Sequence, residues 1–172
     1  MNLLTVSLSK PGGRKENQDY CGYKTINSIT CYVMADGLGG HKGGAIASKI
    51  AVETILKSFE STPELSVTAI ERYIESAQTA ILSQQEIEPK LFNMRTTILV
   101  FIVDQTRALW AHIGDTRLYH FSKGSIVFQT KDHSLPQAMA DAGKIDISEI
   151  RHHDDRNRLL RSLGNAENFS IS

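Results

Sequence analysis

The stretch from 96 to 130, "TTILVFIVDQTRALWAHIGDTRLYHFSKGSIVFQT", constrains the fold more than any other part of the chain. Its runs of β-branched and aromatic residues are separated by the polar turns "DQTR", "GDTR" and "SKGS". Strands of this length joined by turns this short read as an antiparallel meander. Residues 3 to 9 and roughly 19 to 35 are also strand-like, the second region as two β-rich runs around the turn-like Asn27-Ser28. A sheet with one apolar face needs a cover.

Two helical stripes supply that cover. From Gly43 onward Ile46, Ala47, Ile50, Ile55, Leu56 and Phe59 recur at helical spacing, with Lys49, Glu53 and Lys57 between them. "STPEL" interrupts the pattern, with Thr62-Pro63 as a restart. Val67, Ile70, Ile74, Ala77 and Ile81 then form a second stripe. Helices near 43 to 59 and 66 to 84, joined by a short loop, are predicted to pack antiparallel on one face of the sheet. A short helix from Pro136 to Ala142, closed by Gly143, follows the strands. The pattern describes one α+β domain with no internal repeat or linker.

Composition narrows the function. Lys plus Arg equals Asp plus Glu at 19 each, so no global field favours nucleic acid or an anionic membrane. No apolar run approaches the roughly 18 residues that span a bilayer, and the start "MNLLTVSLSKPGG" lacks the pattern of a signal peptide. A cytoplasmic protein is the expectation. Cys21 and Cys31 have no CxxC partner; they are expected as two buried thiols, although a hairpin could set them face to face.

In "VMADGLGGHKGGAIAS", residues 33 to 48, a carboxylate closes an apolar run and glycines follow it. A phosphate-cradling loop is excluded by spacing, because Lys42 lies between His41 and Gly43 and no dinucleotide fingerprint completes itself. A hard divalent cation fits better. Asp36 offers an oxygen ligand, Gly37 frees its own carbonyl, and upstream "GGRKENQDY" adds Asp19, which follows Arg14 by five residues. A guanidinium near a metal makes sense when the ligand is a phosphate. Taken singly, each of these residues is ordinary turn or surface chemistry. The histidines at 112, 120, 133, 152 and 153 show no ligand spacing on one element, so a metal-dependent nuclease has little support.

Taken in order, "GRKENQD", "VMADGLGGHKGGAIAS", "MRTTILVFI", "LWAHIGDTRLYHF", "QTKDHS" and "NRLLRSLGN" resemble the successive motifs of the bacterial metal-dependent type 2C Ser/Thr protein phosphatases, the PPM family. The resemblance implies an antiparallel β-sandwich flanked by helix pairs, the αββα architecture. It implies hydrolysis of phosphoserine or phosphothreonine in a protein substrate, the product of a Ser/Thr kinase, by metal-activated water. Two Mn²⁺ or Mg²⁺ ions are implied, with a third in some relatives. Residue by residue, Arg14 matches the phosphate-binding arginine, Asp19 and Asp36 the metal-binding aspartates, Gly37 a carbonyl ligand and Asp115 the third-metal aspartate. Asp132 and His133 match the start of a flap beside the substrate entrance.

The chain departs from the family pattern at several places. Leu38 stands where some members carry a proposed general acid, Gln18 stands for a common glutamate, and Arg95 replaces the glycine of "GTT". After "RSLGN" the family continues to S-D-G and D-N metal motifs, and neither occurs in these 172 residues. The chain thus reads as cut short at its C-terminal end relative to the family. A module that binds phosphoprotein without turnover is the alternative reading.

Overall fold

The computed structural model describes residues 3–38, 41–166 and 169–172. Strands β1 (Asp19–Ile26) and β2 (Ile29–Leu38) form a hairpin turned by Asn27 and Ser28, both with positive φ. Helices α1 (His41–Ser61) and α2 (Val67–Ile87) follow, then β3 (Arg95–Thr96), β4 (Ile98–Val103) and β5 (Ala108–Ile113). The hairpin β6 (Tyr119–Ser122) and β7 (Ser125–Gln129) precedes the short helix α3 (Leu135–Asp141). All strand pairs are antiparallel, in a five-stranded sheet of order β1-β2-β4-β5 in which β3 also pairs with β2.

The helix pair covers one face of this sheet, as the stripes require. Cys31, Val33 and Ala35 of β2, with Ile98, Val100 and Ile102 of β4, meet Ala47, Val52, Ile55 and Phe59 of α1 and Ile70, Ile74, Ala77 and Ile81 of α2 in one core. The opposite face carries Tyr23, Tyr32, Phe101 and Trp110. Among the described residues there is one long helix pair, with one five-stranded sheet and the separate two-stranded sheet β6–β7. No helix among the described residues is long and apolar enough to cross a membrane.

Several local expectations are corrected. Residues 3 to 9 form no strand, because no described sheet edge pairs with them. The meander breaks after β5: among the described residues β6 and β7 pair only with each other, and Arg117 is drawn to Asp132 and Leu118 to Thr130. The second helix begins where the span of 66 to 84 puts it, after the N-cap Ser66, whose hydroxyl accepts from the Ala69 amide, and not at the Thr62-Pro63 restart; Val67 of its stripe is exposed. Cys21 and Cys31 do not face each other. Their cross-strand partners are Met34 and Lys24, and Cys21 is exposed while Cys31 is buried, where burial pushes its thiol up to about 12. The short helix after the strands appears as expected, with Ser134 as N-cap and Gly143 at positive φ.

Candidate active site

The β1–β2 hairpin sets Asp19 directly opposite Asp36 at the end where the chain enters β1 and leaves β2. Like charges facing each other across strands repel. Burial first, then the charges of Asp19 and Asp115, push the Asp36 carboxyl up to about 6, with Arg14 acting the other way. Its Oδ1 is buried and has no hydrogen-bond partner among the described residues. A buried carboxylate oxygen without a donor, beside a second carboxylate, is the environment a hard cation relieves. The residues present therefore fit a divalent metal.

The backbone of Asp36 is fixed by threonines. Its amide donates to Thr97 Oγ1 at 2.9 Å, and its carbonyl accepts from the Thr97 amide at 2.9 Å and from Thr96 Oγ1 at 2.9 Å. Thr97 Oγ1 also lies 2.6 Å from Thr116 Oγ1, which ties the "GDT" turn to the same point. That network brings Asp115 to Asp36: both line a cavity of about 290 Å³ with Asp19 and Cys21. Asp115 is itself pushed up, by burial and then by Asp132. Sequence reading passed over Thr96, Thr97 and Thr116 as positioning residues. The only signal was a threonine in each of two separate motifs, and their meeting is a tertiary event.

The glycines have a spatial reason. A Cβ on Gly37 would lie 2.1 Å from the Gly44 carbonyl oxygen and 2.8 Å from that of Gln18, and a Cβ on Gly44 would lie 2.7 Å from the Gly37 carbonyl carbon. The first turn of α1 thus rests on the backbone of β2 beside Asp36. Arg95 is exposed at the rim of β3 opposite Leu38, so its bulk meets solvent. His41 lies where only its backbone is described, and Gly39 and Gly40 lie outside the described residues.

Arg14, in the bend before β1, lines a cavity of about 200 Å³ together with Asp19 and Asp36. Arg14, Asp19, Asp36, Gly37 and Asp115 are thus gathered at one end of the sheet. Asp132 and His133 are not in those cavities. Asp132 takes a two-pronged ion pair from Arg117, with Nε to Oδ1 at 2.6 Å. His133 Nδ1 accepts from the Gly114 amide at 3.1 Å, and its ring stacks on His112 at 4.5 Å. Both brace the loop behind Asp115. Among the described residues, no group of three or more His, Cys, Asp and Glu side chains converges as a metal cluster.

Residues 13–140 match the protein phosphatase 2C family. The chain belongs to that family. It is 32% identical to protein phosphatase PhpP of Streptococcus pneumoniae over 94% of its length and 68% of that protein. It is 30% identical to the Ser/Thr phosphatase Stp of Listeria monocytogenes over 88% of its length and 62% of that protein. Among solved structures, Ser/Thr phosphatase Stp1 of Staphylococcus aureus superposes with a TM-score of 0.87 at 25% identity, covering 100% of this chain and 72% of that one. The catalytic domain of the phosphatase PstP, solved with two manganese ions, superposes with a TM-score of 0.74 at 26% identity over 92% of this chain and 66% of that one. The chain therefore spans about two thirds of the length of these 2C phosphatases.

Proposed function

We propose that this chain belongs to a metal-dependent phosphatase acting on phosphoserine and phosphothreonine in proteins. The observation that carries the reading is the orphaned, buried Asp36 Oδ1 facing Asp19 within reach of Arg14. Asp19 and Asp36, with the Gly37 carbonyl, would hold two Mn²⁺ or Mg²⁺ ions, in keeping with the two manganese ions of the similar PstP structure, and Asp115 would serve a third. Bound there, such ions supply positive charge for phosphoryl oxygens and an acidified water as nucleophile. Arg14, which lines the same cavity as Asp36, would bind the phosphate and neutralise its charge. Thr96 and Thr97 hold Asp36 in place, so no reorganisation is needed when substrate arrives. Asp132 and His133 shape the substrate entrance by bracing the loop that carries Asp115. The substrate is the product of a Ser/Thr kinase, and the free thiols are in keeping with a reducing cytoplasm.

The lack of a converged ligand cluster among the described residues favours a second reading, a module that binds phosphoprotein without turnover. Phosphate release from a phosphothreonine peptide in Mn²⁺ separates the two. Release that stops with EDTA, falls to background in Asp36→Asn and shows a raised KM in Arg14→Ala supports the phosphatase. Peptide binding without release supports the binding module.

A further inference from the structure

Beside the carboxylate pair the surface opens into a larger cleft of about 960 Å³. Arg14, Lys15, Lys42 and Lys90 line it, with Glu16 as its one acidic residue and Phe92 at its apolar wall. These cations come from three distant parts of the chain: the bend before β1, the first turn of α1, and the 3-10 turn after α2. Arg14, Glu16 and Gln18 also line the small cavity that holds Asp19 and Asp36, so the two spaces meet at Arg14.

The charge there is local and available. The whole chain has a formal net charge of +0, so an excess of cations in one cleft is a feature of the fold and not of composition. Outside the cleft three lysines are held by carboxylates, Lys24 by Glu60, Lys49 by Glu53 and Lys131 by Asp141. Among the described residues none of the four cleft cations is in an ion pair. A concave surface lined by one sign of charge focuses its field and draws in the opposite sign. Phe92, largely exposed, adds an apolar contact at the rim.

We propose that this cleft is a docking groove that selects phosphoserine and phosphothreonine segments carrying acidic residues beside the phosphorylated one. The proposal rests on the phosphatase reading for the position of the phosphate, at Arg14; the flanking carboxylates then reach Lys42 and Lys90. Rim charges of this kind set specificity and encounter rate more than raw affinity.

Two fluorescent phosphothreonine peptides test it, alike except for three aspartates or three lysines beside the phosphoresidue, with binding read by anisotropy. The parent chain is expected to bind the acidic peptide about tenfold more tightly, with the difference shrinking as salt rises. Lys42→Glu with Lys90→Glu removes the preference, and Lys42→Arg with Lys90→Arg retains it. Equal binding of the two peptides by the parent overturns the groove, as does a preference that survives charge reversal. An oligonucleotide of equal charge that competes as well as the acidic peptide also overturns it, showing a general polyanion surface. Mn²⁺-dependent hydrolysis of p-nitrophenyl phosphate by the parent separates the two ideas: hydrolysis without peptide preference removes only the groove, and preference without hydrolysis keeps the groove and removes the phosphatase reading.

Discussion

The backbone of Asp36 is held on both sides by threonines, yet one oxygen of its carboxylate has no partner among the described residues, and that imbalance has a measurable cost. With its carboxyl pushed from 3.8 up to about 6, its stabilising contribution in the metal-free chain is full below the ordinary value and is lost as pH rises through about 6. His133 runs the other way. Burial, then His112 and Arg161, lower it from 6.5 to about 4, so its contribution is present above the ordinary value and is lost as pH falls through about 4. The two oppose each other across the same acidic window. Asp36→Asn removes the first and leaves the second. The metal-free variant should therefore be more stable than the parent at neutral pH by about 1 kcal/mol. It should also lose stability more steeply on acidification. Thermal melts at stepped pH check this, and a variant that melts below the parent at neutral pH contradicts it.

Among the elements, α2 reaches past its own stripe to hold the segment "RSLGN" near the end of the chain. Gln78 Oε1 accepts from the Gly164 amide at 2.7 Å, and Gln85 Nε2 donates to the carbonyls of Gly164 at 3.0 Å and Met94 at 2.8 Å. Leu163 and Thr96 exchange backbone bonds at 2.8 and 3.2 Å, so "RSLG" lies against β3, which carries the Thr96 hydroxyl to Asp36. Gly164 adopts φ +84°, and a Cβ there would lie 2.5 Å from the Met94 carbonyl oxygen. Gly164→Ala should cost about 1–3 kcal/mol and weaken Mn²⁺ binding through the displaced β3. Urea unfolding and calorimetric titration read the two effects. Loss of neither would show that this clamp is not coupled to the site.

For the whole molecule, one face of the sheet is dry under α1 and α2 and the other carries an aromatic stripe. Tyr23 stacks on Tyr32 at 5.4 Å, Tyr32 meets Phe101 at 6.0 Å, and Trp110 meets Phe128 of the hairpin at 4.9 Å. Tyr23, Met34 and Trp110 are exposed. An apolar face of this kind drives association, so the chain should associate with rising concentration, and Trp110→Gln should reduce this in light scattering; a monodisperse monomer at high concentration would contradict it. Much of the architecture was legible in the sequence because periodicity reports burial directly: both long helices, the Asn27-Ser28 hairpin, the strands from 96 onward and the capped α3 follow from local pattern. So did the gathering of Arg14, Asp19 and Asp36, through the order of motifs. Strand partners were not legible, since residues 3 to 9 have strand composition but no described edge to pair with, and β6 and β7 left the sheet once Arg117 found Asp132. Nor was the reason for the glycines, which is the contact of Gly37 with Gly44 rather than a freedom of either residue alone. The sequence by itself determined the two long helices and most of the strands, and it marked Arg14, Asp19 and Asp36 as the candidates for a phosphate and a metal. Only the tertiary structure decided that Thr97 and Thr116 brace Asp36, that Asp132 and His133 brace a loop, and that Lys42 and Lys90 converge beside Arg14, because each of these contacts joins residues whose local sequence carries no record of the other.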